Sequence, residues 1–390
     1  MTVAFMDLRR AAAPFAEDWK RAALRVLDHQ QFILGKEVEA FEAAVSATMD
    51  GARVVGMSSG TDALLAGMMA LGVKRGDRVL TSPFSFFATA GTIMRLGAVP
   101  VFADIEPANF GLDVARLDRI PKAGLACVVP VHLFGHAIDL DPLLVWAGAV
   151  PVLEDACQAI GSRDAKGRAA GTVAAIGAFS FFPTKNLGGA GDAGMCATMD
   201  QGLADALKLL RAHGQSKQYH HAVIGGNFRL DALQAALLAA ALPHLPAQNA
   251  ARRANAARYE TLLREAGLVD GRVLLPVIDA GHSVHQYVVR IGGGRRDATQ
   301  ARLKERGVGT MVYYPVPFHL QECFKDLGYR KGDFPESERA AAEVLALPIF
   351  PGLLPAEQEE VVRELKSALS EKGAPARRDS RRFAPAVRCV

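Results

Sequence analysis

The sequence predicts an α/β fold, a large domain with a mostly parallel sheet covered by helices, followed by a smaller C-terminal α+β domain. Three observations carry this expectation. From about residue 53 to 200, short apolar runs alternate with helical patterns. The runs are β-branched or aromatic, as half-buried or buried strands are. Near residue 249 the alternation stops and a different mixture of helix and strand begins. Strands that alternate with helices are joined by crossovers, so they lie parallel, and the helices cover both faces.

With 390 residues, 50% of them hydrophobic, the chain can bury a large core and divide in two. The expected division is a large domain over 1–248 with an N-terminal arm, a small domain over 249–372, and a basic disordered tail over 373–390. The arm includes DHQQFILGKEVEAFE (28–42), read as an extended, loop-like stretch wrapping over a neighbouring surface. Strands are expected at RVVGM (53–57), RVLTS (78–82), VPVFADI (99–105), ACVVPV (126–131), VPVLED (150–155) and GAFSFF (177–182). TDALLAGMMALG, FFATAGTIMRLG and DPLLVWAG between them have helical spacing. LDALQAALLAAALPHL (230–245) reads as a long apolar helix and AARRANAARYETLLREAG as an amphipathic one. The small domain is expected to hold a strand at HQYVVRI and helices at DATQARLKERGV, near 335–346 and near 355–371.

Composition excludes several classes of function. The tail carries five arginines against Asp379, which accounts for the whole net charge of +4. The body is therefore neutral, which argues against a nucleic-acid docking face. No apolar run is long enough for a membrane span, and MTVAFMDLRRAAAPFAEDWK has no signal-peptide h-region. The five cysteines are scattered without paired or metal-like spacing, which suits a reducing cytoplasm. The histidines His132, His213, His220, His221, His285 and His319 show no tight metal spacing, so no metal is expected.

In open α/β sheets, polar residues at strand carboxyl ends line the ligand crevice. That rule gathers Ser58–Thr61, Phe84–Phe87, His132, Asp155 and Lys185. Lys185 follows the apolar run GAFSFF, where poor hydration disfavours the ammonium and leaves a nucleophilic amine. A loop lysine with its charge in water is the plainer alternative. SSGTDAL opens a helix after a strand, so it is either an N-cap or a phosphate cradle with Thr61 as an extra donor. In EDACQ, Asp155 can face a pyridinium nitrogen and Gln158 a ring hydroxyl, or the carboxylate can cap the next helix. Phe86 can stack on a flat cofactor or belong to the core. In GNFRLD, Arg229 can bind phosphate or carboxylate or make a surface ion pair, and Asn227 can be a turn residue. Together these supply an amine, an acid, a phosphate cradle and a stacking ring, which is the set pyridoxal 5'-phosphate requires.

The ordered set SSGTDAL, ADIEPANFGLD, VHLFGH, EDACQAIGS, FSFFPTKNLGGAGDAG, RAHGQ and GNFRLDALQAA resembles the DegT/StrS family of nucleotide-sugar aminotransferases over roughly residues 1–370. The resemblance implies an aspartate-aminotransferase-like (type I) fold, a homodimer with shared active sites, and pyridoxal phosphate held by a lysine aldimine. By position, Lys185 resembles the aldimine lysine and proton shuttle, Asp155 the partner of the ring nitrogen, and Gln158 the residue beside the ring hydroxyl. Gly60, Thr61 and Ser180 match phosphate ligands, Phe86 the stacking ring, and Asn227 a phosphate contact from the other subunit. Arg229, Tyr313, Tyr314 and His319 fall where the family meets its sugar nucleotide. Tyr313 stands where relatives often have histidine, and Cys157 where alanine is usual. Lysine rather than histidine at 185 implies amino transfer rather than dehydration. HQQFILGKEVEAFE, RAHGQSKQYHH and YYPVPFHLQ resemble the branch acting on 3-keto sugars, with glutamate as donor. A 4-keto-sugar or cyclitol aminotransferase and a non-catalytic cofactor-binding regulator are the competing readings.

Overall fold

The computed structural model describes residues 2–370, so the expected basic tail at 373–390 lies outside the described residues. The chain opens with three helices, α1 (Leu8–Ala12), α2 (Ala16–His29) and α3 (Lys36–Thr48). The expected loop-like arm is therefore mostly helical, and only the link between α2 and α3 is not. The physical reason is pairing that a linear reading does not show. Arg25 on α2 grips Glu37 on α3 through Nε at 3.1 Å and Nη2 at 3.0 Å, while Ala22 and Val26 pack in one cluster with Ala232, Ala236 and Leu237.

Seven strands then build the large sheet: β1 (Arg53–Met57), β2 (Arg78–Thr81), β3 (Val99–Phe102), β4 (Leu125–Val129), β5 (Leu153–Asp155), β6 (Ile176–Ser180) and β7 (Gly194–Thr198). Hydrogen bonding orders β1-β7-β6-β5 and β3-β2-β4. Parallel bridges Val128–Val152 and Val131–Asp155 join the two halves beside β4 and β5. Pairings β2–β3, β2–β4 and β5–β6 are parallel, whereas β7 runs antiparallel to both its neighbours. The sequence reading missed β7. Its residues GMCAT follow a glycine-rich run, have no strong β-branched signal, and are bounded by no helix on the N-terminal side.

Alternation along the strands covers both faces. Phe179 on β6 and Met195 on β7 point to the layer containing Phe41 and Leu238, and Ile176, Ala178 and Cys196 point to the layer containing Leu64 and Met68. The covering helices are α4 (Gly60–Ala70), α5 (Ala88–Arg95), α6 (Asp141–Ala147) and α7 (Gln201–Leu210). After them come a hairpin of β8 (Gln215–Lys217) and β9 (His220–His221), then α8 (Ala232–Ala241). The pattern change near residue 249 falls inside α9 (Leu245–Glu265), which runs on into the small unit.

That unit has an antiparallel sheet of β10 (Val273–Leu274), β11 (Tyr287–Ile291) and β12 (Val344–Leu347) with helices α10 (Arg296–Glu305), α11 (Pro335–Glu343) and α12 (Pro355–Ser370). The helix expected over 335–346 thus stops at Glu343, and VLAL forms β12 instead. All four of those residues are buried, between β11 and a short bridge to Met311, so tertiary context overrides the helical pattern. On β11, Tyr287, Val289 and Ile291 face the small core, while Val288 packs with Phe84, Val131 and Phe134 of the large domain. This second face seats the residues just before β11 against the carboxyl ends of the large sheet.

Candidate active site

A cavity of about 400 Å³ opens at those carboxyl ends. Of the sequence-predicted site residues, Gly60, Thr61, Phe86, Asp155, Gln158, Ser180, Lys185, Tyr313 and Tyr314 line it.

One wall is the start of α4. Ser59 is extended and its hydroxyl accepts the Asp62 amide at 3.0 Å, while Ser58 donates to the Asp62 carboxylate at 2.7 Å. Ser59 thereby caps one first-turn donor and leaves those of Gly60 and Thr61 at the cavity, at the positive end of the helix dipole. The close seating of this helix depends on two glycines. A Cβ on Gly60 would lie 2.6 Å from Ser180 Cβ and 3.0 Å from Cys157 Sγ, and one on Gly194 would lie 2.4 Å from the Ser59 carbonyl carbon. With Thr61 and Ser180 alongside, the wall has the donors and the dipole end that suit an anion.

The end of β5 separates two adjacent carboxylates. Glu154, fully buried, meets His132 Nε2 at 2.8 Å and accepts the amides of Gly171, Val173 and Ala174. His132 Nδ1 accepts the Ile138 amide, so Nε2 carries the ring proton and donates it to Glu154. Glu154 and His132 are thus spent on holding a loop. Asp155 faces the cavity instead, accepting Thr89 Oγ1 at 2.7 Å and the Cys157 amide at 3.2 Å. It makes no salt bridge among the described residues, so a cation in the cavity would complete it.

Gln158 is oriented by the backbone. Its Oε1 accepts the Phe134 amide at 2.8 Å, which leaves Nε2 to donate to Tyr314 Oη at 3.0 Å. Burial pushes the Tyr314 phenol above its ordinary value, so it stays protonated. Phe86, 56% exposed, presents its ring at the cavity wall 6.2 Å from that of Tyr314.

Lys185 sits in the turn after β6, its amide donating to Phe182 O at 2.8 Å. Burial pushes its ammonium below the usual range, and neighbouring Cys157 and Asp155 oppose that shift. An amine that loses its proton readily is what a nucleophilic lysine needs. The sequence reading did not single out Asp192, Thr184 or Gln286, which also line the cavity. Asp192 in GGAGDAG reads only as a turn residue, and Gln286 is brought in by the packing of β11. His285, noted only as a non-metal histidine, lies there too.

Three predicted residues do not line this cavity. Asn227 is exposed and bridges Ala212. Arg229 bridges Met57 and leaves its buried Nε without a hydrogen-bond partner. His319 is buried, with Nε2 3.0 Å from Glu338 Oε1 and its ring against Phe334.

The sheet order, the antiparallel β7 and the lysine after β6 define an aspartate-aminotransferase-like, type I α/β protein. The DegT/DnrJ/EryC1/StrS aminotransferase family matches residues 15–366, and the chain belongs to that family. Among its relatives is a "pleiotropic regulatory protein" of Geobacillus stearothermophilus, 42% identical across 94% of this chain and 98% of the relative. A UDP-N-acetyl-3-dehydro-alpha-D-glucosamine 3-aminotransferase of Acidithiobacillus ferrooxidans is 37% identical across 93% and 95%. Among solved structures, S. venezuelae DesV in complex with a ketimine intermediate superposes with a TM-score of 0.89 at 35% identity, over 95% of this chain and 99% of that one. The residues present fit pyridoxal phosphate: a cradle that a Cβ at Gly60 would fill, an unpaired carboxylate, an exposed ring and an amine share one cavity.

Proposed function

We propose that the chain is a homodimeric, pyridoxal-phosphate-dependent aminotransferase that moves an amino group from glutamate to the C3 keto group of a nucleotide-linked sugar. The observation that carries this reading is the meeting of Lys185, Asp155 and the α4 amides in one cavity. When bound, the cofactor supplies an electron sink for the carbanion of amino transfer. Gly60, Thr61 and Ser180 would hold its phosphate, Phe86 would lie against its ring, and Asp155 would keep the ring nitrogen protonated. Gln158 and Tyr314 face the ring oxygen. Lys185 would hold the cofactor and, once its amine is free, would serve as the base that carries the proton.

The C3 position is supported by the relative named as a 3-aminotransferase, and glutamate by the family resemblance. The dimer is supported by Asn227 and Arg229, which lie outside their own chain's cavity. Beside them Phe32 and Ile33 are exposed and pair through backbone with Asp231 and Ala232. A second copy is the occupant that would cover this face. Arg229 and Tyr313 are proposed to face the sugar nucleotide in that assembly, whereas His319, buried with its ring against Phe334 and Nε2 beside Glu338, is turned away from it. The cytoplasm is the proposed compartment. No helix among the described residues is long and apolar enough to cross a membrane, and the described cysteines are free.

The 42% identical relative named as regulatory favours a second reading, a cofactor-binding regulator without turnover. A regulator needs the cradle, yet nothing in that role requires Lys185 and Asp155 as well. Incubating the purified protein with glutamate and a panel of 3-keto and 4-keto nucleotide sugars decides between them. A 3-amino product identified by mass and NMR supports the proposal. A 4-amino product corrects the regiochemistry, and no product with any member overturns the enzymatic reading.

A further inference from the structure

A run of polar side chains behind Lys185 can be hydrogen-bonded in one direction only. Asn249 on α9 donates through Nδ2 to Ile160 O at 3.3 Å, so its Oδ1 is the acceptor facing Asn186 Nδ2 at 2.7 Å. The other Nδ2 hydrogen of Asn186 goes to Ser283 O at 2.8 Å. Both its donors are spent, so Asn186 Oδ1 can only accept from His285 Nδ1, 3.2 Å away. His285 therefore carries its proton on Nδ1.

The remaining nitrogen, Nε2, has no hydrogen-bond partner among the described residues, and the ring lines the same cavity as Lys185. Burial, with the positive charges of Lys185 and Arg252 beside it, pushes His285 well below the usual imidazole value, so the ring is neutral and Nε2 is a lone pair. Arg252 is locked in place by the carbonyls of Val284, His285 and Ile349. A fixed lone pair at a cavity wall is an acceptor available to a donor in that cavity, and Lys185 lines the same wall.

We propose that His285 is a positioning residue for Lys185: its Nε2 accepts an N–H of the lysine amine and turns the amine's own lone pair toward the cavity. Asn186, the residue after Lys185, sets the tautomer that makes this possible. The inference rests on Lys185 being the reacting amine, but its test uses cofactor-free protein and needs no substrate, so the two fail separately.

The rate at which an amine-acylating reagent modifies Lys185, followed against pH by peptide mapping, reports the lysine's own pKa. His285→Gln places an acceptor near the Nε2 position and breaks the link to Asn186. His285→Asn keeps a group near Nδ1 and removes the cavity acceptor. His285→Gln is expected to stay near wild type, while His285→Asn lowers the Lys185 midpoint by about one pH unit, since an acceptor favours the charged form. The opposite ranking, or equal midpoints in all three proteins, overturns the proposal. A measurement on wild type alone guards against misfolded variants. His132 and His282 accept amides at Nδ1, and His136 and His319 leave Nδ1 unbonded while Nε2 faces Asp279 and Glu338, so all four carry the proton on Nε2, and in protein labelled with ¹⁵N-histidine a buried Nδ1–H ring identifies His285. Finding no such ring also overturns it.

Discussion

Thr89 and Asp155 are joined by a 2.7 Å hydrogen bond inside the sheet's carboxyl-end cavity, and Thr89 Oγ1 also lies 2.9 Å from Ser85 Oγ. The threonine comes from α5 and the aspartate from β5, so the bond fixes the acid against a second element. Neutral donors orient a carboxylate without neutralising it. Asp155 is thus aimed, buried and lacking a salt bridge, which is the condition for holding a ring nitrogen protonated.

Asp155→Asn keeps the shape and loses the charge. Turnover is expected to fall far more than cofactor affinity. A kcat within a factor of about ten of wild type, roughly 1.4 kcal/mol, would exclude the electrostatic role. Thr89→Val removes only the aiming bond and should lower kcat by about tenfold, in the range of one hydrogen bond to a charged group. An unchanged rate in Thr89→Val would show that Cys157 and the backbone suffice to orient the acid.

Gly60→Ala tests the cradle. The added methyl would meet Ser180 Cβ at 2.6 Å, and the nearby Ser180 Cα at 3.2 Å leaves little room to yield. The helix start must lift, at a cost of about 1–3 kcal/mol by the usual scale of overpacking. Cofactor affinity measured by absorbance titration should weaken at least tenfold, and Ser180→Gly added to it should restore part of the loss of thermal stability. Unweakened binding in Gly60→Ala would move the phosphate elsewhere.

Borohydride reduction of the holoenzyme, followed by peptide mapping, should find the cofactor on Lys185. Lys185→Ala should still bind cofactor through Thr61, Ser180 and Asp155 but not turn over. A pyridoxyl group on any other lysine, or near-normal turnover in the variant, refutes the assignment.

Much of this site was legible in the sequence because strand ends are. Gly60, Thr61, Asp155, Gln158, Ser180 and Lys185 sit within two or three residues of runs whose apolar pattern marks a strand or helix boundary. What escaped was set by contacts across the chain. β7 has no pattern of its own and exists because β1 and β6 offer it partners. β12 reads as helix until β11 claims it. His285 looked like one more histidine, and its place depends on Val288, three residues later on β11, packing against the large domain. The helical N-terminal arm failed for the same reason, since Arg25 and Glu37 pair across a turn that neither residue announces.

The buried ring of His282 makes the fold sensitive to acid. His282 is pushed from 6.5 down to about 3, mainly by burial and further by His136 and Arg253. The unfolded chain takes up that proton below pH 6.5 and the folded one does not until about pH 3. Stability from this group is complete above the first value and lost as pH falls through the window, at no more than about 1.4 kcal/mol per pH unit. His282→Asn, which keeps an acceptor for the Val284 amide, should flatten urea-unfolding stability between those limits. An unchanged slope would mean that His282 protonates without unfolding.

The proposed sharing of active sites between two chains gives the strongest test of the assembly. Asn227 is exposed and Arg229 keeps a buried Nε unpaired, and neither lines the cavity that holds Lys185 of the same chain. In a twofold dimer each subunit lends the same segment to its neighbour. Lys185→Ala and the double variant Asn227→Ala with Arg229→Ala should each be inactive alone. In a mixed dimer, the lysine of the double variant meets the intact Asn227 and Arg229 of the other chain, so one site is whole. The second site carries every lesion. Mixed dimers verified with two affinity tags should therefore recover up to about half of wild-type activity, one site of two under the symmetry. If each chain's own Asn227 and Arg229 served its own lysine, neither site would be whole and no activity would return. Absence of recovery in verified mixed dimers would overturn the shared site, while leaving the roles of Lys185 and Asp155 within one chain untouched.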